Sequence, residues 1–471
     1  MSVVVRVDGA QAAKVTTGGM RDGLPRVAAL EPATTITFFG CQERVNTASP
    51  MPHLPQDSNI GLPLSRRRFL SWTAMAAAIS TRPLPAAFGA SPATPPSATL
   101  PFENGRRPLV AYPQKRPLLR LTSRPPQLET PFEVFDEGTV TPNDAFFVRY
   151  HLAGSPPSID RLGDGFRLQI KGAVENPLAL TVERLRQEFD LVEFTAVNQC
   201  SGNSRGFFEP RVPGGQLGNG AMGNARWKGV LLRDVLKRAA ISPKARQITL
   251  DGLDQPVLPK TPDYVKALDL DFALGHDCLL AFEMNGEPLP WLNGFPLRLV
   301  VPGYYGTYWL KHLHEIQVIE EPFSGFWMNP AYRIPDTEGA CVEPGTTPKQ
   351  TIPIHRMNVR SFITNLAPGA QVARGRLQKV RGIAFDGGEG IHEVLFSPDD
   401  GATWQRAELG PDQGRYGFRG WTASFTPNQV GQYRLRVKAT NRIGASQPMQ
   451  ALWNPAGYMR NVVESLPIQV A

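Results

Sequence analysis

The sequence lacks the features that mark several large classes of protein. Cysteine is scarce, with 4 residues in 471, so a small scaffold held by disulfides is excluded. After residue 90 there is no cluster of lysine and arginine interleaved with aromatic residues, and we therefore expect no nucleic-acid partner. Outside residues 65–90 no apolar run approaches the length of a membrane span, and none is expected. Neither a CxxCH haem-attachment motif nor a Walker loop is present.

What the chain has in abundance is glycine and proline. Together the 44 glycines and 45 prolines make 89 of 471 residues, above the average share of about 12% but below that of low-complexity chains. A length of 471 residues predicts two or three folded, loop-rich domains. The net charge is +8, and residues 1–90 contribute +4 of it, so the remainder favours an anion-binding pocket over a surface for nucleic acid.

Residues 65–90 are typical of a twin-arginine export signal. They begin with SRRRFL, continue through an apolar run at 72–79 and end with the small residues AAFGA at 86–90. We therefore expect a periplasmic protein. Because such a signal normally stands at the start of a chain, residues 1–64 are interpreted as a disordered or misassigned extension. Export of a folded protein is typical of one that acquires a cofactor in the cytoplasm.

The pattern of hydrophobic residues divides the rest of the chain in two. Between about residues 100 and 345, strands alternate with short helices, which predicts a mixed α+β domain. Residues 346–471 show strand alternation alone, separated by turns such as those at 386–388 and 399–401, which predicts a β-sandwich. In the first part strands are predicted at 166–171, 192–197, 247–250 and 297–301, and helices at 181–189 and 233–240. In the second part strands are predicted at 359–363, 374–384, 392–397, 421–425 and 433–440.

The most informative segment is NQCSGNSRG at residues 198–206. A predicted strand leads into Cys200 on a turn of small and amide residues, and Arg205 follows five residues later. A thiolate beside a cation suits either a nucleophile or a ligand of a soft metal, and the residues leave both readings open. Upstream, Arg149 and His151 end another predicted strand. Two arginines near one thiolate would form a pocket for an oxyanion.

The other cysteines carry less information. Cys41 lies in the extension, which leaves three cysteines and hence at least one without an intramolecular partner. Cys278 and Cys341 are a candidate disulfide, but the sequence does not decide whether they pair.

Two further motifs have a weaker context. Residues 218–223, GNGAMG, match the string of a dinucleotide-binding fingerprint, but they follow a loop and not a strand. Residues 311–314, KHLH, place two histidines two positions apart, as a metal pair on a strand would be, but no third ligand lies nearby in sequence. We interpret the first as a glycine-rich loop and the second as ordinary side chains.

Four segments in order give the chain a family resemblance. They read FVRYH at 147–151, QCSGN at 199–203, NARWKGV at 224–230 and GFPLRLVVPG at 294–303, and they resemble the sulfite oxidase family of molybdenum-cofactor enzymes. The resemblance covers about residues 100–471. It implies an α+β fold with a mixed α/β molybdopterin-binding domain at 100–345, followed by an immunoglobulin-like dimerisation domain at 346–471. The export signal makes the chain similar to the bacterial periplasmic sulfite dehydrogenases of that family.

The resemblance also implies roles for individual residues. Cys200 resembles the family's single protein ligand of molybdenum. Four further residues are expected in the catalytic group. Arg149 and Arg205 would bind the anion, and Tyr332 and a third arginine, Arg460 from the second domain, would complete the group. Asn293 stands where the vertebrate enzymes have a histidine, while Arg298 and Lys311 match the positions that hold the pterin phosphate. The residues expected to bind the cofactor are Phe147, Val148, Arg149, His151, Cys200, Asp254, Asn293, Arg298 and Lys311.

The activity implied is the molybdenum-dependent oxidation of sulfite to sulfate, with electrons passed singly to a c-type cytochrome. Because no haem motif is present, we expect no haem in this chain, and either a homodimer or a heterodimer with a haem subunit. One alternative keeps the cofactor but reverses the chemistry, in a reductase of sulfoxides or related substrates. An alternative of another class is an exported binding protein without enzymatic activity.

Overall fold

Short strands dominate the described part of the chain, which comprises residues 96–158, 162–163 and 165–471 of a computed structural model. The predicted extension at 1–64 and the predicted export signal at 65–90 lie outside the described residues. Within them, no helix has the length and apolar character needed to cross a membrane.

The first sheet along the chain is antiparallel, and its five strands lie in the same order in the sheet as in the sequence. Its strands are β1 (Ser97–Thr99), β2 (Arg106–Val110), β3 (Leu118–Ser123), β4 (Pro126–Glu129) and β5 (Val148–Arg149). In β5, Arg149 pairs with Gln127 of β4. The backbone of Arg149 is therefore fixed at the edge of a sheet, two residues before the predicted site residue His151.

Two further sheets make up most of the first domain. The ten strands are β6 (Leu168–Gly172), β7 (Leu178–Leu180), β8 (Leu191–Gln199), β9 (Met222–Leu231), β10 (Gln247–Gly252), β11 (Lys266–Asp269), β12 (Leu279–Met284), β13 (Glu287–Pro288), β14 (Arg298–Val300) and β15 (Leu313–Ile319). One sheet has the order β11-β10-β15-β6-β7, and the other has the order β13-β12-β9-β8 with β14 paired to β12. Strand β8 ends at the residue before Cys200, so the sheet presents that cysteine at its edge.

Three α-helices connect these strands: α1 (Val182–Glu188), α2 (Leu232–Ala239) and α3 (Leu270–Gly275). Helix α1 begins where the Thr181 hydroxyl accepts a hydrogen bond from the amide of Arg184, a common N-terminal cap. In α2 the buried residues recur at the spacing of one helix face, at 232, 235, 236 and 239. Short 3-10 helices lie at Phe132–Asp136, Arg205–Phe207, Trp291–Asn293, Gly306–Tyr308 and Glu338–Ala340.

A hairpin of β16 (Arg333–Pro335) and β17 (Thr351–Pro353) leads into the second domain, which is a sandwich of two sheets. Its strands are β18 (Arg360–Ile363), β19 (Gln371–Val372), β20 (Gln378–Phe385), β21 (Ile391–Ser397), β22 (Gln405–Arg406), β23 (Glu408–Leu409), β24 (Arg419–Phe425), β25 (Gly431–Asn441) and β26 (Glu464–Val470). The sheet orders are β18-β20-β24-β23 and β19-β26-β25-β21-β22. Val380, Phe396 and Leu435 belong to the apolar core of this domain.

The succession of a mixed domain and a sandwich confirms the predicted fold class. Every strand and helix predicted from hydrophobic periodicity is present, with boundaries that differ by up to about four residues. The sequence reading missed β9, β12, β15 and β26. Strand β12 is buried at five of its six positions, and such a strand has no polar alternation to reveal it.

Candidate active site

A cavity lies where the ends of strands from the three sheets of the first domain meet. Nine of the twelve predicted site residues line it: Phe147, Arg149, His151, Cys200, Asp254, Asn293, Arg298, Lys311 and Tyr332. They come from segments separated by up to 185 residues, and the fold brings them to one place. Val148, Arg205 and Arg460 do not line the cavity.

Cys200 is a free thiol with 9% of its surface exposed. Its amide donates to the carbonyl of Ala221 at 2.9 Å, and its carbonyl accepts from the amide of Asn203 at 3.0 Å. These bonds hold the cysteine on a tight turn between β8 and the 3-10 helix that begins at Arg205. The turn therefore points one thiol toward the cavity with little backbone freedom. Cys278 is also free, so the candidate disulfide with Cys341 is not formed.

Three cations line the cavity: Arg298, which is buried, and Arg149 and Lys311, which are partly exposed. Lys311 Nζ donates to the carbonyl of Arg149 at 2.6 Å, and a guanidinium nitrogen of Arg149 donates to the carbonyl of Tyr150. Arg298 lies between two indole rings, 4.9 Å from the centre of Trp227 and 5.7 Å from that of Trp309. Its Nη1 and Nη2 donate to backbone carbonyls of residues 293 and 309 at 2.9 and 3.2 Å. None of these hydrogen bonds neutralises a positive charge.

The electrostatics reflect this excess of positive charge. Burial, together with the positive charge of the neighbouring Arg298, lowers the pKa of Lys311 to about 7. Burial likewise lowers the pKa of Arg298 to about 9. Burial opposes the charge of Arg149 too, yet its pKa is raised overall because Tyr332 and Cys200 favour the cation. Among the described residues that line the cavity, Asp254 is the one carboxylate, and burial raises its pKa in spite of Lys311.

An aromatic wall closes another side of the cavity. The His151 ring stacks on Tyr264 with 3.9 Å between ring centres, and His151 Nε2 is hydrogen-bonded to the Tyr332 hydroxyl. Trp327 packs edge-on against His151 at 5.3 Å. Burial, with the positive charge of Arg149, holds the pKa of His151 well below its usual 6.5. His151 is therefore a neutral hydrogen-bonding group beside the cations.

Arg205 lies behind this wall. Its guanidinium is 5.1 Å from the ring centre of Tyr458, and that ring stacks on Tyr332 at 5.5 Å. Its Nε donates to the carbonyl of Ala456 at 3.1 Å. At Gly202 a Cβ atom would lie only 2.6 Å from the guanidinium carbon of Arg205. The absence of a side chain at position 202 thus lets this arginine pack closely against the Cys200 turn.

The structure separates Arg460 from the cavity. Its Nη1 donates to Glu464 Oε1 at 2.6 Å, and its guanidinium lies 5.2 Å from the ring centre of Phe207. These two contacts hold the guanidinium away from the cavity, so it is not brought to the position expected for a third anion-binding group. Val148 is buried in β5 and belongs to a small apolar cluster.

Asn293 is held by two groups. Lys115 Nζ donates to its Oδ1 at 2.5 Å, and its Nδ2 donates to the carbonyl of Phe147 at 3.1 Å. Lys115 gave no signal in the sequence, since it lies 178 residues away on an irregular segment. Lys266 was also missed, although it is fully buried, donates to the carbonyl of Trp327 at 2.6 Å and lies 5.1 Å from the ring centre of Tyr332.

Two more missed residues flank Cys200 and could have been found from the motif. Asn198 and Ser201 both line the cavity, and within the described part of the chain Asn198 Oδ1 and Ser201 Oγ are buried without a hydrogen-bond partner. Arg298 Nε is a third such atom. Buried polar atoms in native proteins are normally paired, so these three are sites for contact with a polar group.

The two weaker motifs have structural explanations. His312 is fully buried, and its ring nitrogens are bonded to the Tyr150 hydroxyl and the carbonyl of Phe295, both at 2.7 Å. His314 does not form a metal-binding pair with His312, because His314 Nε2 faces Asp251 Oδ2 at 4.0 Å. The glycine-rich residues 218–223 lead into β9, which begins at Met222, and Ala221 among them is bonded to the amide of Cys200.

Comparison with known proteins identifies the class. A family described as an oxidoreductase molybdopterin-binding domain matches residues 153–327, and a family described as a Mo-co oxidoreductase dimerisation domain matches residues 351–470. The chain is therefore a molybdopterin-binding oxidoreductase with a dimerisation domain. This confirms the predicted enzyme and removes support from the alternative of a binding protein without activity.

Individual relatives define the family more closely. The sulfite oxidase of Gallus gallus is 33% identical over 369 residues, which cover 75% of this chain and 78% of that protein. Mitochondrial sulfite oxidase of Mus musculus is 32% identical over 394 residues, which cover 80% of this chain and 70% of that protein. The chain belongs to the sulfite oxidase family of molybdenum enzymes. The sulfane dehydrogenase SoxCD of Paracoccus pantotrophus shares the fold, with a TM-score of 0.63 at 22% identity over 83% of this chain and 93% of that one.

The cavity fits the cofactor of this family. A phosphate-bearing group with sulfur and oxygen donors is anionic, and the cavity is lined by three cations against one carboxylate. Its unpaired atoms at Asn198, Ser201 and Arg298 are available to such a group. Cys200 supplies the soft thiolate ligand that molybdenum would accept.

Proposed function

We propose that the protein oxidises sulfite to sulfate with a molybdenum–molybdopterin cofactor, and that Cys200 is the protein ligand of the metal. The observation that carries the proposal is the combination of one free thiol with Arg149, Arg298 and Lys311 in a single buried cavity. When bound, the cofactor would supply the two-electron oxygen-atom transfer. The sulfite oxidases of Gallus gallus and Mus musculus support this substrate.

The chain's own residues would then divide into two groups. Arg298, Lys311, Asp254 and Asn293 line the cavity and would hold the pterin and its phosphate through hydrogen bonds, charge-assisted where a cation donates. Arg149, with Cys200 and Tyr332 close enough to raise its pKa, would neutralise the incoming anion. Arg205 would add long-range attraction from behind Tyr458.

Near neutral pH, His151 and Tyr332 would act as uncharged partners. The neutral imidazole shares a hydrogen bond with the Tyr332 hydroxyl, whose pKa burial raises above its usual 10. These two groups can orient an oxygen of the substrate or hold a proton without adding charge to the cavity. Water supplies the fourth oxygen of sulfate, and two protons and two electrons leave for each sulfite oxidised.

The electrons would leave one at a time to a c-type cytochrome in the periplasm, after export of the protein by the twin-arginine route. The signal-like residues 65–90 support the location. We further propose that the protein works as a homodimer through its sandwich domain or as a heterodimer with a haem subunit. The family match of residues 351–470 to a dimerisation domain supports an assembly of this kind.

Sulfite-dependent reduction of ferricyanide, measured together with molybdenum content, tests the proposed function. Replacement of the ligand in Cys200→Ser is expected to lower turnover by more than about 100-fold, because ligand loss disturbs the metal more than loss of a supporting residue does. Cys278→Ala is the matched control, because Cys278 is also a buried, free thiol but lies outside the cavity. Equal turnover of the Cys200 variant and wild type, at equal molybdenum content, would remove Cys200 from the ligand set.

Reduction of a c-type cytochrome is a separate measurement. Wild-type protein that reduces ferricyanide with sulfite is expected to reduce cytochrome c as well. If it reduces ferricyanide alone, the oxidation of sulfite stands and the proposed acceptor does not.

A further inference from the structure

A buried arginine of the sandwich domain reaches the turn that carries Cys200. Arg360 begins β18 and is 0% exposed. Its Nη2 donates to Glu464 Oε1 at 2.9 Å, and its Nη1 donates to the hydroxyl oxygen of Ser204 at 3.0 Å. Ser204 belongs to the first domain, so one guanidinium joins the two domains.

The charge of Arg360 is only partly balanced. Arg460 donates to the same Glu464 oxygen at 2.6 Å, so two arginines share one carboxylate. Burial lowers the pKa of Arg360 to about 10, even though Glu464 favours the cation. Because Arg360 shares its one carboxylate with Arg460, its buried charge is stabilised to a large extent by its other hydrogen-bond partner, the Ser204 hydroxyl.

Ser204 has an unusual backbone conformation. Its φ is +70°, in the left-handed region that residues other than glycine rarely adopt. Its amide donates to the carbonyl of Gly218 at 2.6 Å, and its hydroxyl donates to Asn219 Oδ1 at 2.6 Å. A conformation of this kind persists where the surroundings fix it, and here they are the glycine-rich loop on one side and Arg360 on the other.

The serine itself is not a catalytic nucleophile. Residues 202–206 read GNSRG, which matches the GxSxG string of hydrolases, but Ser204 is 0% exposed and its hydroxyl faces an amide and a guanidinium. No histidine is bonded to it among the described residues. Its hydrogen bonds define the shape of the turn between Cys200 and Arg205.

We propose that Arg360 is a positioning residue, through which the sandwich domain fixes the turn that presents Cys200 to the cavity and holds Arg205 behind its aromatic wall. The Nη1–Ser204 bond holds the left-handed residue in the middle of that turn. The adjacent Arg205 then packs against Gly202 and Tyr458 in a single arrangement. The sandwich domain therefore contributes to the geometry of the site without contacting the cavity.

Hydrogen exchange of the full-length holoenzyme tests this proposal, with Ser204→Ala and Arg360→Met as variants. Amides of residues 200–206 are expected to exchange about tenfold faster or more in both, the ratio associated with loss of a hydrogen bond to a charged group. Residues 431–441 of β25 report on the sandwich itself. Ser204→Ala leaves the Arg360–Glu464 pair intact, so it is the decisive variant if Arg360→Met loosens the whole domain.

Arg381→Met is the matched control. Arg381 also joins the two domains, through Asp136 at 2.6 Å, but its side chain is 52% exposed. This variant is expected to exchange like wild type at residues 200–206. Unchanged exchange of these residues in Ser204→Ala would overturn the proposal, as would equal acceleration in Arg381→Met.

Sulfite kinetics give the second measurement, and this part rests on the proposed function. Since Arg205 would attract the anion, a displaced turn is expected to raise KM for sulfite more than it lowers kcat in both variants. A purely structural role would reduce the amount of active enzyme and leave KM unchanged, and that result would also count against the proposal. If wild type does not oxidise sulfite, the proposed function fails while the exchange data still decide the role of Arg360.

Discussion

Each of the two domains buries a carboxylate, and the two carboxylates differ in how many hydrogen bonds they accept. In the sandwich, Asp386 accepts hydrogen bonds from three backbone amides and from Asn441 Nδ2, at distances between 2.9 and 3.2 Å. In the first domain, Glu129 accepts from the amide of Gly218 at 2.8 Å, while its Oε1 is buried without a partner. A similar contrast holds for the cations. In the first domain three of them line one cavity, whereas in much of the sandwich arginines form ion pairs with carboxylates near the surface.

The difference shows what each domain is built to do. An apolar core, with a buried carboxylate that accepts four hydrogen bonds, stabilises the sandwich. Uncompensated charge in the first domain is unfavourable for folding alone and becomes favourable when an anionic group binds. An excess of positive charge around one cavity is therefore the feature that marks the site, and three substitutions test how far the contrast extends.

The largest effect is expected in the sandwich core. Phe396 is 0% exposed and packs against Phe425 with 5.8 Å between ring centres, so Phe396→Ala should lower the free energy of unfolding by about 3–5 kcal/mol. KM for sulfite should stay within a factor of about two, because no charge near the cavity changes. Urea unfolding and steady-state kinetics measure the two quantities. Ile443→Ala, at a side chain 70% exposed, is the control, and a large KM change in Phe396→Ala would break the contrast.

A somewhat smaller effect is expected for Glu129, the buried carboxylate that accepts a hydrogen bond from Gly218 of the glycine-rich loop. Burial raises the pKa of Glu129 to about 7 from 4.5, so the folded protein holds the proton more tightly than the unfolded chain. The resulting stabilisation is complete below pH 4.5 and is lost as the pH rises through about 7. Its size is about 3 kcal/mol, at 1.36 kcal/mol for each pKa unit.

Glu129→Gln should therefore flatten the pH dependence of unfolding between pH 5 and pH 8. Urea midpoints measured at unit steps of pH check this, with Glu133→Gln at an exposed position of the next segment as the control. A variant with the same slope as wild type would show that Glu129 is ionised throughout the range and that its burial is compensated.

The smallest effect is expected for the arginine behind the aromatic wall. Arg205→Ala should raise KM for sulfite by about 10- to 150-fold, which corresponds to about 1.5–3 kcal/mol for an interaction with a charged group. Lys171→Ala is the control, because Lys171 is 50% exposed and paired with Glu315 at 2.7 Å. Equal KM changes in the two variants would mean that the overall positive charge of the protein attracts the anion, and that the position of the Arg205 guanidinium has no special role.

Much of the fold was predictable because its signals are local. Alternating residues in β20, β21 and β25 indicated the sandwich, and the buried face of α2 indicated its helix. The motif around Cys200 likewise predicted a thiol on a turn at the end of a strand. The position of Arg460 was not predictable, because its pairing with Glu464 and its packing on Phe207 depend on how the two domains meet.

The sequence by itself determined the two kinds of domain, the cysteine at the strand end and the arginines that accompany it, since each depends on residues close together in the chain. The tertiary structure alone decided that Lys115 supports Asn293, that Lys266 faces Tyr332 and that Arg360 holds Ser204. Those pairs are 66 to 178 residues apart in the numbering, and no local pattern constrains which distant lysine or arginine a folded backbone will enclose. Burial then gives these contacts their strength, because a cation removed from water depends on the few partners that remain.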